Sequence, residues 1–161
     1  MSNSSSDTLL IVLGLFSFVA ITLFWFTWFV YPDFIQSRSP SDPQFDMYVN
    51  FEQSFIVADS WFALISLIGA VGVWRRRSWG YLFLLLAGSS AIFLGLMDLT
   101  YDLQNSMFSP FSFEAIIELI IIALLLTLGP LIIMKTWRTL NARAPLRAFR
   151  DDECLFLCFV P

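Results

Sequence analysis

The stretch ISLIGAVGVWRRRSWGYLFLLLAG (65–88) decides the fold. An apolar run ends at Trp74, three arginines and a serine follow, and a second apolar run begins at Trp79. RRRS (75–78) is too short and too basic to be anything but a tight turn between two helices. The runs on either side cover about 53–74 and 79–101, each long enough for the ~30 Å hydrocarbon core of a bilayer. Two further runs flank them, about 8–31 and 111–137. The 161-residue chain is 58% hydrophobic and 14% charged, with mean hydropathy +0.74, which is too apolar for a soluble domain of this size. The expectation is an all-α, polytopic membrane protein. Residues 1–150 form a single four-helix transmembrane domain, and 151–161 form a short cytoplasmic tail.

The run at 8–31 has no basic leader and ends in FWFTWFVY (24–31) rather than small residues, so it reads as an uncleaved helix with an aromatic interfacial belt. YPDFIQSRSPSDPQFDMYVNFE (31–52), with three prolines, reads as a polar loop. In the fourth span Gly129-Pro130 is expected to interrupt and kink the helix. Serines and threonines within the spans are expected to bond back to their own helices.

Charge gives the orientation. Eight of the nine basic residues lie at 75–77 or after the fourth span (Lys135, Arg138, Arg143, Arg147, Arg150), and only Arg38 lies on the other side. The positive-inside rule then puts both termini in the cytoplasm, in a plasma or inner membrane. The acids sort the other way. Asp33, Asp42, Asp46, Glu52, Asp59, Asp98, Asp102, Glu114 and Glu118 fall in the outer half, nine acids against one base.

Six of these acids form pairs on helix faces. Glu52 and Asp59 are seven apart, about 20° from one face; Asp98 and Asp102, and Glu114 and Glu118, are four apart, about 40°. Small residues say where those faces point. Ala87, Ala91 and Gly95 lead into Asp98 and Asp102, and Asp59 leads into Ala63, Ser66 and Ala70. Small residues at such spacing mark close helix–helix approach, so the carboxylates should face the bundle interior. All six are candidate ligand- or cation-binding residues; a helix dipole is an equally good account of Glu52 and Glu114, which stand where helices begin. It disfavours Asp98 and Asp102 at a helix C-terminus, and it does not reach the deeper Asp59 and Glu118.

A charge in the membrane costs at least about 2.5–3.5 kcal/mol at the centre of a span and less near the interface. Acids without a basic partner therefore call for water, shared protons or a cation. Oxygen-only ligands suit a hard divalent cation, with Asp59, Asp98 and Glu118 as the metal-ligand candidates. An amine or another small amphiphilic ligand would fit as well, beside an aromatic rim of Trp25, Trp28, Tyr31 and Trp61 that could add cation–π contacts. Gln53, Gln104 and Asn105 are candidate supporting polar groups.

Histidine is absent, which removes the commonest neutral-pH acid–base group and any histidine-activated nucleophile. No nucleotide loop is present, and the acidic half argues against nucleic acid. The basic edge is explained by topology and anionic lipid. Cys154 and Cys158, in DDECLFLCFVP (151–161), face a reducing compartment on this topology, so a disulfide is not expected. A disordered tail with a few apolar residues is the preferred reading, and palmitoylation the lesser alternative.

The layout, a small bundle with cytoplasmic ends and inward carboxylates, is similar to that of the emopamil-binding and sigma-2 receptor class, as a likeness of layout rather than of aligned motifs. It lacks the loop cysteines of claudins, the Cys-Cys-Gly of tetraspanins, and the first-helix glutamate of small multidrug exporters. Three functions follow in order of preference. The first is binding or transport of a cation or cationic small molecule in an acidic, outward-facing pocket. The second is an accessory subunit of a larger membrane complex. The third is an enzyme on a lipid-like substrate using a carboxylate pair, which ranks last for want of a nucleophile or histidine.

Overall fold

The structure is a computed structural model. It describes residues 5–32, 40, 41, 43, 45–108 and 113–148, the last as backbone alone at 113–114 and 143–148. Within these residues the chain forms α1 (Ser5–Val30), α2 (Phe45–Ser54), α3 (Ile56–Trp74), α4 (Trp79–Gln104) and α5 (Phe113–Ala148), with no strand. Four stretches are long and apolar enough to cross a membrane: Ser5–Val30, Phe45–Trp74, Trp79–Gln104 and Ala115–Ala142. The chain is an all-α, four-span bundle.

The RRRS turn works as a helix stop. Arg76 takes a left-handed backbone (φ 58°), and its N–H returns to the carbonyl of Val73 at 2.9 Å while that of Arg77 returns to Gly72 at 2.8 Å. This is the paired bonding of a Schellman cap, made here without glycine. Ser106 (φ 53°) ends α4 in a related way, with Met107 N–H on the Asp102 carbonyl at 3.0 Å.

Each helix packs most heavily on its neighbours in the order α1–α3–α4–α5, and α5 returns to α1 through a sparse seam. Glycine lets the tight pairs close. A Cβ added at Gly72 would lie 2.5 Å from Cα of Gly80, beside the turn, and one added at Gly129 would lie 2.7 Å from the carbonyl oxygen of Gly88. The expected small-residue stripe is buried throughout: Ala63, Ser66, Ala70, Ala87, Ala91 and Gly95. At the basic end, the Tyr81 hydroxyl donates to Oδ1 of Asp7 at 2.8 Å. This buried bond ties the start of α1 beside the arginine turn. Span hydroxyls of Ser17, Thr22, Thr100, Thr127 and Thr139 bond back to carbonyls four residues earlier, as expected.

Two expectations need correction. Residues 45–52 are helical rather than loop. The segment is polar but holds no proline or glycine, and Tyr48 and Glu52, one turn apart, bury one face of α2 against the bundle. The fourth span is not interrupted at Gly129-Pro130, since α5 runs helically through both to Ala148. Pro130 is exposed, so its ring lies outside the packing, and Gly129 serves the contact with α4. The tail with Cys154 and Cys158, and Asp33, Arg38 and Asp42, lie outside the described residues.

Candidate functional site

α2 and α3 are nearly one helix, broken at Phe55. There Phe55 N–H bonds the Glu52 carbonyl at 2.9 Å, a tightened turn, before Asp59 N–H resumes on Phe55 at 2.8 Å. Glu52 and Asp59 bracket this joint and point to the same interior. Together with Asp98 of α4 and Glu118 of α5 they line one cavity of about 30 Å³, walled otherwise by Ile21, Phe24, Phe55, Ile121 and Leu125. Four helices thus each bring one carboxylate. Glu52, Asp59 and Glu118 are buried, at 9% exposure each, and Asp98 is half-buried.

Asp59 has a specific partner. Trp25 Nε1 donates to its Oδ2 at 3.0 Å, so α1 contributes the indole donor to the site. Trp25 is held by its neighbours: Phe24 meets it edge-on at 5.3 Å, and Trp28 lies at 5.9 Å. Trp28, Tyr48 and Tyr101 join Trp25 in a buried aromatic cluster, with Phe51 stacked on Tyr101 at 3.5 Å between centroids.

The other expected site residues are placed differently. Asp102 is almost fully buried, yet it is not on the cavity wall. Glu114 stands in the first turn of α5, and its side chain lies outside the description. Gln53 and Gln104 are exposed, and Asn105 donates through Nδ2 to the Tyr101 carbonyl at 2.9 Å, capping its own helix. None of the three completes the cavity. Of the aromatic rim, Tyr31 (61% exposed) and Trp61 (53%) face away from the bundle. Trp25 acts as a hydrogen-bond donor rather than as a cation–π face. Among the described residues no three carboxylates close into a shell able to hold a metal ion. The divalent-metal expectation on Asp59, Asp98 and Glu118 therefore finds no preformed ligand set.

Two features escaped the sequence. The Trp25–Asp59 and Asp7–Tyr81 bonds join residues 34 and 74 positions apart, with no local signal to announce them. A second cavity of about 100 Å³ lies beside the acidic one, between α1 and α5 against Phe62. It is almost wholly apolar and shares Ile21, Phe24, Ile121 and Leu125 with the acidic cavity.

The described basic residues are remote. Lys135 is 17 positions beyond Glu118, about 25 Å along a helix, and Arg77 is 21 positions before Asp98, about 30 Å. The arrangement offers hydrogen-bond acceptors and negative charge in a space with room for about two water molecules.

Residues 53–129, just under half of the chain, match the model of a family described as "Predicted membrane protein (DUF2127)". The match takes in Asp59, Asp98 and Glu118 but not Trp25 or Glu52. No curated protein and no solved structure matches the chain. A stretch similar to a membrane-protein family, within a chain carrying four membrane-length apolar helices, makes this a small multi-pass integral membrane protein.

Proposed function

We propose that this membrane protein binds a small cation in the cavity at the acidic end of its bundle. One observation carries the reading: carboxylates from four separate helical segments line a single 30 Å³ space. Carboxylates gathered in a medium of low dielectric repel one another and pay for lost hydration. A positive ligand relieves both. The positive-inside rule puts the RRRS turn in the cytoplasm, so the cavity lies in the opposite half of the bilayer. No three described carboxylates close into a metal shell, which favours a largely dehydrated monovalent ion or an ammonium group over a divalent metal.

Thermal melting of the purified chain with K⁺, Na⁺, Mg²⁺, Ca²⁺ and methylammonium tests this. A bound cation raises the melting midpoint by mass action. Asp98→Asn and Glu118→Gln should each reduce that rise, whereas Asp46→Asn, on the exposed side of α2, should not. If none of these cations moves the wild-type midpoint, the reading fails.

A further inference from the structure

The two cavities share a wall, and that wall stands at the loosest junction in the bundle. Ile21 and Phe24 of α1 and Ile121 and Leu125 of α5 line both. α1 and α5 are neighbours with few contacts, and Phe16 and Leu124 on the rim of the apolar crevice are 48% and 42% exposed. The crevice therefore opens sideways, toward lipid. The one hydroxyl in its lining, Ser17 Oγ, is already bonded to the Leu13 carbonyl at 3.0 Å, so nothing there competes for a polar group. At the other end, Glu52 lines the acidic cavity, is nine-tenths buried, and receives no hydrogen bond from any described residue.

We propose that cavity and crevice are one bipartite site for a single-chain amphiphile with a primary ammonium head, admitted from the bilayer through the α1–α5 seam. The inference rests on the reading that the cavity takes a cation, and it names the class. A primary ammonium brings a positive charge and three N–H donors with no acceptor, which complements a pocket whose Glu52 lacks a donor. A trimethylammonium head carries the same charge but no N–H, so it leaves Glu52 without a donor. The tail gains little by leaving lipid for the crevice, because lipid tails are as apolar as the crevice wall. The head selects the ligand; the tail delivers it along the membrane and holds it at the seam.

The test compares melting midpoints of the full chain in maltoside micelles with dodecylamine, dodecyltrimethylammonium, dodecanol and methylammonium, for wild type, Glu52→Gln and Ala20→Phe. Ala20 lines the crevice on an exposed face of α1, so a phenyl ring there fills the tail site without touching the carboxylates. Dodecylamine should raise the wild-type midpoint by about 5–10 °C at a hundredfold excess over its dissociation constant. Dodecanol and dodecyltrimethylammonium should not reproduce that rise. Glu52→Gln should abolish it and weaken methylammonium too, while Ala20→Phe should abolish the dodecylamine rise alone. If methylammonium stabilises the wild type but dodecylamine adds nothing, or if Ala20→Phe leaves the dodecylamine rise intact, the bipartite site is wrong and the cation site stands. If dodecanol matches dodecylamine, the head plays no part and the proposal is overturned. If neither amine acts, the cation reading falls with it.

Discussion

Replacing Trp25 with Phe removes one hydrogen atom that matters, the Nε1–H donated to Asp59 Oδ2 at 3.0 Å. Two costs follow, and they can be separated. The smaller ring vacates space against Phe24 and Trp28, worth about 1–2 kcal/mol at roughly 0.8 kcal/mol per buried carbon. The lost bond leaves a carboxylate with 9% exposure short of a donor. Hydrogen bonds to charged groups contribute about 1.5–3 kcal/mol and neutral ones about 0.5–1.5 kcal/mol. Interhelical hydrogen bonds in membranes average only about 0.6 kcal/mol, with a maximum near 1.7 kcal/mol. A carboxylate acceptor in a closed cavity belongs at the upper end of that membrane range, about 1–2 kcal/mol. A double-mutant cycle isolates this value. Wild type, Trp25→Phe, Asp59→Leu and the double variant are unfolded reversibly in mixed micelles by titrating denaturing detergent. The ring-size cost and any relief from carboxylate repulsion at Asp59 each enter both sides of the cycle and cancel. The double variant should be less destabilised than the sum of the singles by about 1–2 kcal/mol. A coupling under about 0.5 kcal/mol, the size of ordinary non-additivity, would refute the view that α1 is pinned to the site through this bond.

Gly129→Ala should destabilise by about 1–3 kcal/mol through overpacking, despite the better helix propensity of alanine, because the new Cβ meets backbone oxygen of Gly88 at 2.7 Å. Melting of this variant beside the exposed-site control Leu131→Ala checks it; equal stability would mean that the two helices can part freely. Tyr81→Phe should cost about 1–2 kcal/mol by taking the donor from buried Asp7, read from the same denaturing-detergent titration. For orientation, a cysteine at Ser41 should react with an impermeant maleimide from outside the cell, and one at Ser78 only after permeabilisation. The reverse pattern would invert the topology.

The number and type of helices were legible because composition alone demands them: four long apolar runs admit no other class. Helix extent was less so. Residues 45–52 look like loop by polarity, yet Tyr48 and Glu52 share one face, and that face finds cover on the bundle end. The convergence of Glu52, Asp59, Asp98 and Glu118 on one cavity was readable from spacing and small residues, since both are local properties of a helix. The aromatic rim was not. A helix that is apolar on every side gives no periodic clue to which tryptophan faces inward, so Trp25 and Trp61 could not be told apart before packing was known. Gly129-Pro130 did not end the helix: α5 is helical through both, with Gly129 against α4 and Pro130 exposed.

The cavity stands on a gradient of side-chain size along the bundle. Near the arginine turn Gly72 faces Gly80, and at mid-bundle Gly88 faces Gly129, so backbones nearly touch. Toward the acidic end the contacts pass to large rings: Phe51 on Tyr101 at 3.5 Å, and Trp28 on Tyr48 at 5.9 Å. The glycine contacts join α3 to α4 and α4 to α5, whereas the rings join α2 to α1 and α4. The carboxylate-lined cavity lies toward the aromatic end. The rings beyond it, with Tyr48 only 1% exposed, form a buried cluster at that end of the bundle. The α1–α5 seam has no glycine-tight contact of the α4–α5 kind, and its rim residues Phe16 and Leu124 are exposed. An amphiphile of the kind proposed above would reach the carboxylates through that seam.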